Sequence, residues 1–568
     1  MAEALFGRMA NPNTRASAAR QRVQGIQHHR RLTPGSPAPG ESPRITVTVG
    51  PGIPVDDMVC IITEPEVVVM PMVKARPEWD LLSWGYVGEW VVNLPPFTAG
   101  SIVRYQIRAT DRDSGDYLWA DDGETYSYIV GDSGPPAWAQ PAIIYQVFPD
   151  RFHPGQGREW NATKHLSDIY GGTLRGVIDH LDYIANLGFT VIWLNPFFPD
   201  ATHHGYHATD YFTVNPRLGT MDDVRELVDK AHARGVRLLL DFVGNHWGSN
   251  HPTFQDALTN PDSPYKDWYF WRSYPDDYVA YFDVSDLPKV NVDHPAARDY
   301  LLRSVAFWLG DVGFDGLRLD HADGPSTDFW TDVRAVARSV RPDAWMFGEV
   351  VRPPDQQLAY SGLFDGTLDF VLGQALRNTF GAGTMTLAEF DALLERHEAF
   401  FPSTFNRPSF LDNHDMDRFL LLAGGDKRKL KLAALCQFTL GGPPIVYNGT
   451  EVGVEQTISM HEPGSQGMEE CRQPMLWGDD QDDDLYAYFY YLIQLRRAHP
   501  VLWRGQRRTV FLDSSKGVYV YLREDNTERM LVGLNLSEKQ RDVAIFDDAT
   551  GITHFFQLPP WSGDISLA

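Results

Sequence analysis

Four places in the sequence end an apolar run with acid, histidine or arginine. They are Asp241-Phe-Val-Gly-Asn245-His246, Arg318-Leu-Asp320-His321, Gly348-Glu349 and Asp412-Asn-His414-Asp415. One buried carboxylate in such a place is often structural, and unpaired it is costly or takes up a proton. Four in series point to a shared site. Within "GLRLDHADG" (316–324), strand alternation puts Arg318 and Asp320 on one face. The guanidinium then favours the ionised form of Asp320. An ionised carboxylate with a second acid on the next strand is the layout of glycoside hydrolysis. In its retaining form one carboxyl attacks the sugar and the other serves as acid and base. The two carboxyls, here Asp320 and Glu349, then stand about 5–5.5 Å apart.

The elements that carry these residues repeat. "AIIYQVF" reads as a strand. Leu174, Val177, Ile178, Leu181, Ile184 and Leu187 follow at helical spacing, Gly188 stops the helix, and "FTVIWLNP" is the next apolar strand. A helix begun at Thr220 and ended at Gly235 leads to "VRLLLDFV", and one ended at Gly313 leads to "DGLRLDHAD". Helix, glycine and apolar strand in series mean parallel strands with crossover helices. The candidates are 143–147, 190–195, 237–241, 316–320, 345–349, 366–370, 408–412 and 443–447. Eight of them predict an α/β fold, a closed (β/α)8 TIM barrel. No Gly-rich phosphate fingerprint follows any strand, which weakens an open doubly wound sheet. Chemistry in such barrels sits at the carboxyl ends of the strands, where the four clusters fall.

Around the barrel the texture differs. Residues 1–43 are basic and rich in Pro, Ser and Gly, and read as a mobile tail with a short helix near its start. Residues 44–133 hold short strand-like runs and read as a β-sandwich. The barrel is expected over 137–502, with an inserted subdomain at about 242–292 after the third strand. The insert's aromatics, as in "YKDWYFWRSYPDDY", are expected to form its own core rather than a sugar platform. Residues 503–568 read as a C-terminal antiparallel β-domain.

Composition narrows the partners. The 568 residues suit roughly three domains. A net charge of −25 disfavours nucleic acid and anionic membrane. No apolar run of about 18 residues is present, and the stretch "MAEALFGRMANPNTRASAARQRVQ" lacks a continuous apolar segment. Three cysteines, Cys60, Cys436 and Cys471, show neither metal spacing nor a disulfide framework. A reducing, cytoplasmic setting is expected. Sixteen Trp and 24 Tyr suit a sugar-binding cleft as well as a large core.

The stretches "GFTVIWLNP", "DFVGNH", "LPKVN", "GLRLDHAD", "GEV" and "FLDNHD" resemble the α-amylase family of glycoside hydrolases over roughly 141–500. The resemblance implies Asp320 as nucleophile, Glu349 as general acid/base and Asp415 as the third carboxylate, which holds sugar hydroxyls. It implies that Tyr206, His246, Arg318 and His414 surround the attacked sugar, and that Asp241 and Asn245 brace the site. "IIYQVFPDRF", "YGGTLRGVIDHLDYI" and "GDKRKLKLAALCQFTLGGPPIVYNGTEVG" are similar to the neopullulanase, cyclomaltodextrinase and maltogenic amylase branch. That branch implies small or cyclic α-glucan substrates and a homodimer whose N-terminal domains roof the partners' sites. There are departures. The nucleophile is followed by His321-Ala322-Asp323-Gly324 instead of Val-Ala-Asn-Glu, so His321 lies on the acceptor side and substrate choice is open. Val350 and Val351 stand where the branch has Trp after the acid. The loop after "FPDRF" reads "HPGQGREWN", and Thr173 replaces an acid. Calcium, bound there in relatives, is expected to be weak or absent, and no other cofactor is implied. An α-glucan transglycosylase and an exo-acting α-glucosidase stay open as alternatives. A non-enzymatic carbohydrate-binding relative is disfavoured by the three retained acids.

Overall fold

In the computed structural model, residues 16, 17, 19, 20, 23–131 and 134–568 are described. The eight apolar runs form eight parallel strands: β1 (Ile144–Val147), β2 (Val191–Leu194), β3 (Arg237–Val243), β4 (Gly316–Asp320), β5 (Trp345–Gly348), β6 (Gly366–Thr367), β7 (Ser409–Phe410) and β8 (Pro444–Tyr447). They pair in the order β6-β5-β4-β3-β2-β1-β8-β7. A bridge between Gly366 and Asn406 closes the ring. A Cβ on Gly366 would stand 1.6 Å from the Asn406 carbonyl oxygen, so the closure requires glycine there. The last strands are shorter than the apolar runs that announce them. Leu368 and Phe370 are buried, but in the turn and helix that follow β6 rather than in the sheet.

The helices begin and end on local signals. Thr220 and Asp223 form a capping box at the start of helix Met221–Ala233. Gly188, at φ 104°, ends helix Leu181–Leu187. One face of the strands (Ile192, Leu194, Leu238, Leu240, Leu317, Leu319) packs under these helices. The other face fills the barrel with Ile144, Val191, Trp193, Leu239, Trp345, Phe347 and Ile445. Toward the carboxyl ends this inner face turns polar: Leu239 gives way to Asp241, and Gly316 to Arg318 and Asp320.

The N-terminal domain is a sandwich of a six-stranded and a five-stranded antiparallel sheet. Part of the expected tail belongs to it. Ile26–Gln27 and Leu32–Thr33 pair with strand Arg44–Val49, and His28 and Arg30 are buried. Arg30 donates to the carbonyls of Ala359 and Ser361, 2.5 and 2.9 Å away in the barrel. Two-residue strands carry no readable alternation, so the sequence showed only their loop-like composition. The first residues of the tail lie outside the described residues; Ala16, Ser17, Ala19 and Arg20 are helical. The C-terminal domain pairs a four-stranded sheet with the hairpin Arg541–Asp547 and Ile552–Leu558. Its Tyr519, Tyr521, Val532 and Leu534 merge with the barrel's own core. Among the described residues no helix is long and apolar enough to cross a membrane.

The subdomain after β3 contains helix Pro252–Thr259 and the ribbon Trp271–Ser273 with Asp277–Tyr278. Phe254, Trp268 and Tyr269 form its core as expected. Tyr281 and Phe282 do not: their rings lie 4.7 and 5.6 Å from the ring of His321.

Candidate active site

Strand register brings the acids together. Leu319 of β4 lies beside Gly348 of β5, so Asp320 and Glu349 share the next rung. The ladder runs on past the strands, with Glu349 N–H donating to Leu319 O and Ala322 N–H to Glu349 O. On the other side Asp241 of β3 lies beside Arg318. One guanidinium then ties three carboxylates. Arg318 Nη1 is 2.7 Å from both Asp241 Oδ1 and Asp320 Oδ1, and its Nη2 is 2.8 Å from Glu349 Oε2. The two acids thus sit on the two ends of one guanidinium, on neighbouring strands.

Asp415 enters from the loop after β7. Its Oδ2 lies 2.9 Å from His414 Nε2 and its Oδ1 accepts from Arg472 Nη2 at 2.8 Å. Tyr206 lies parallel to the His414 ring at 5.5 Å. The Tyr206 hydroxyl is 2.6 Å from His414 Nε2 and donates to Asp241 Oδ2 at 2.9 Å. Gln146 Nε2 holds the other ring nitrogen of His414. His246 is buried and packs against Tyr281 at 4.6 Å. His321 has φ 39°, a left-handed conformation rare outside glycine. That turn aims its N–H at Glu349 Oε2, 3.1 Å away, and sets its Nδ1 3.3 Å from Asp323 Oδ1. All ten residues named from the sequence therefore converge, His246 and His321 through Tyr281, with Asp241 on Arg318 and Asn245 beside His246.

Burial pushes the Asp320 carboxyl well above its usual range; Arg318 opposes this, while Glu349, Asp241 and Asp415 add to it. The single positive charge of Arg318 is shared among Asp241, Asp320 and Glu349. Burial also works against the ionised Asp415, but His414, Arg472 and Arg318 overcome it and hold that carboxyl well below the usual range. Burial, with His321 and His207 nearby, lowers His246 to about 3 and keeps it neutral.

Two contributors escaped the sequence reading. Arg472 sits in an irregular stretch after β8 where no periodicity marks it, and Tyr281 looks like the other aromatics of its subdomain. The only local signal for Arg472 is a lone cation beside a buried cysteine.

In the loop where the family resemblance implies calcium, the protein's own groups already engage the available oxygens. The Pro154 carbonyl and Thr173 Oγ1 accept from Arg158 Nη2 at 2.6 and 3.1 Å. Arg158 Nε reaches the Gly155 carbonyl at 3.4 Å. The Asp150 carboxylate is committed to Arg151 and to the N–H groups of Tyr170 and Gly171. Calcium takes six to eight oxygen ligands, and a guanidinium already stands among these.

The family described as "Alpha amylase, catalytic domain" matches residues 146–489. The chain belongs to the α-amylase family. As an α-amylase-family member it is a glycoside hydrolase of α-glucans. It is 38% identical over 420 residues to a cyclomaltodextrinase from Bacillus sp., covering 71% of this chain and 74% of that one. A solved cyclomaltodextrinase superposes with a TM-score of 0.71 at 28% identity, covering 96% of this chain and 99% of that one. The cyclic alpha-maltosyl-(1-->6)-maltose hydrolase from Arthrobacter globiformis superposes with a TM-score of 0.70 at 28% identity, covering 77% and 100%.

Proposed function

We propose that this α-amylase-family enzyme is a retaining hydrolase of small or cyclic α-glucans and maltooligosaccharides, releasing maltose or short maltooligosaccharides. The observation that carries the reading is the Arg318 guanidinium with Asp320 on one nitrogen and Glu349 on the other. Glu349 protonates the glycosidic oxygen while Asp320 attacks the anomeric carbon, forming a glycosyl-enzyme. Glu349, now ionised, takes a proton from water, which releases the sugar with retained configuration. Asp415 accepts hydroxyls of the attacked sugar, with His414, Tyr206 and His246 around the same ring. The charge balance suits the sugar-holding role of Asp415, which His414, Arg472 and Arg318 keep ionised.

Likeness to a cyclomaltodextrinase and to a hydrolase of a maltosyl-maltose ring supports ring-shaped substrates, including maltosyl-maltose-type rings. The deciding measurement is product chromatography with maltotriose, pullulan, cyclodextrins and a small cyclic maltosaccharide. Ring opening followed by maltose is expected. Glucose released singly from chain ends would mean an exo-glucosidase, and products longer than the substrate a transglycosylase. Three points belong to the same reading. The enzyme works without calcium, since Arg158 supplies the positive charge. It works in a reducing interior, since Cys60, Cys436 and Cys471 are buried free thiols. It pairs as a homodimer through its N-terminal domain, where Leu81, Trp84 and Tyr86 are 72%, 74% and 67% exposed.

A further inference from the structure

The turn that carries His321 needs support. Its left-handed backbone is unfavourable for any residue but glycine, and such strain persists only where the surroundings hold it. Trp330 supplies one hold. Its Nε1 donates to Ala322 O at 2.8 Å, and Ala322 N–H donates in turn to Glu349 O. With His321 N–H on Glu349 Oε2, this one turn fixes both the backbone and the carboxylate of Glu349.

Trp330 belongs to helix Thr327–Val340, which follows β4. At about 100° per residue, Asp328 and Asp332 share one side of that helix and Trp330 leaves from the other, where it is buried. Two carboxylates four residues apart on a helix repel each other. Here two guanidiniums bind them together. Arg298, of helix Pro295–Ala306, gives Nη1 to Asp328 Oδ2 at 2.7 Å and to Asp332 Oδ2 at 2.8 Å. Arg104, on strand Ile102–Asp111 of the N-terminal domain, takes the other oxygen of each. Its Nε donates to Asp328 Oδ1 at 2.8 Å and its Nη2 to Asp332 Oδ1. Glu64, on the neighbouring strand Val55–Glu64, holds the remaining nitrogen of Arg104. Beside this grip, Ser127 Oγ of the same domain donates to Thr331 Oγ1 at 2.7 Å.

Each carboxylate is therefore held by one nitrogen from the barrel and one from the N-terminal domain. Burial raises the Asp332 carboxyl, and Arg104 is the strongest influence opposing it. Without Arg104, one guanidinium would face two crowded carboxylates, and the side of the helix opposite Trp330 would lose its fastening to a second domain.

We propose that Arg104 is a positioning residue: from the N-terminal domain it fixes the helix whose Trp330 holds the His321 turn, and so keeps Glu349 in place for proton transfer. Its effect on rate rests on the glucan-hydrolase reading. The N-terminal domain thereby acts on its own chain's active site without touching a sugar.

The test is a double-mutant cycle on kcat, measured with maltohexaose. Arg104→Gln removes the charge, and Trp330→Phe keeps a ring but removes the N–H. Each should lower kcat about fivefold with KM within about twofold, a split that misplaced catalytic geometry gives and a loss of folded protein does not. The double variant should also lose about fivefold, because both changes cut the same chain of contacts; independent effects would multiply to about 25-fold. Arg104→Lys, which keeps the charge but cannot fork between two carboxylates, should fall about twofold. A kcat for Arg104→Gln within about 1.5-fold of the parent, or a double variant near 25-fold, would overturn the proposal. Hydrogen exchange gives a second readout that needs no turnover. The peptide spanning 321–326 should exchange about tenfold faster in Arg104→Gln and in Trp330→Phe, with β4 itself unchanged. If the parent protein cleaves no α-glucan, the hydrolase reading fails instead, and unchanged exchange at 321–326 in Arg104→Gln would overturn the positioning role. Should Arg104→Gln not fold, Arg104→Lys is judged in its place by the same exchange.

Discussion

Asp315 and Asp320 stand at the two ends of β4, both buried, in opposite surroundings. Asp315, just before the strand, accepts from His232 Nε2, Arg237 Nη1, Arg341 Nη2 and the Leu238 N–H. Although burial works against its charge, these partners hold its carboxyl below the usual range. Asp320, at the other end, shares one guanidinium with Asp241 and Glu349 and is pushed up. Residue type, strand and burial are the same. Only the supply of positive partners differs. The amino end of the barrel spends its cations on holding a carboxylate still. The carboxyl end leaves Asp320 under-compensated beside Asp415, which two cations and His414 hold, the kind of uneven charge that active faces carry.

The sharpest way to break this contrast is to remove charge at the active end. Glu349→Gln and Asp320→Asn should each lower kcat/KM roughly 10³-fold or more, read from initial rates on a maltooligosaccharide. Asp320→Asn should not destabilise the fold. A carboxyl raised in the folded state stabilises below its unfolded pKa and loses that contribution as pH rises. The Asn variant should therefore match the parent in acid and exceed it in urea midpoint at pH 8. The amino end should behave in reverse. Asp315→Asn should leave turnover near normal but cost about 1–3 kcal/mol at pH 7, since the buried Leu238 N–H and three partly exposed cations lose a charged acceptor. A lowered carboxyl stabilises above its unfolded pKa, about 4, so this cost should shrink as pH falls below that value. Equal urea midpoints at pH 7 would contradict the contrast. The smallest effect concerns the third kind of compensation, a cation built into a loop. Excess EDTA should shift Tm by less than about 1 °C, whereas Arg158→Ala should cost about 1 kcal/mol. A large chelator effect would restore calcium to that loop.

Much of this was legible beforehand. Helix, glycine and strand alternate over such a length that eight parallel strands follow, and each catalytic candidate could be read as the residue that ends an apolar run. What stayed hidden depends on space rather than order. The strands at 26–27 and 32–33 are too short to show a pattern, so their docking through Arg30 read as a tail. Arg472 reaches Asp415 from a stretch without periodicity. Tyr281 and Phe282 differ from their neighbours in backbone direction, not in composition. The crowding around Asp320 depends on how many carboxylates share Arg318, a number no linear spacing reveals.

The left-handed turn at His321 sets two demands against each other. Glycine at 321 would relieve about 1 kcal/mol of backbone strain, yet it would remove the ring that meets Tyr281 and loosen the N–H that steadies Glu349. Any programme that selects this enzyme for heat tolerance alone will be drawn toward that replacement, and its gain in robustness will be withdrawn from turnover.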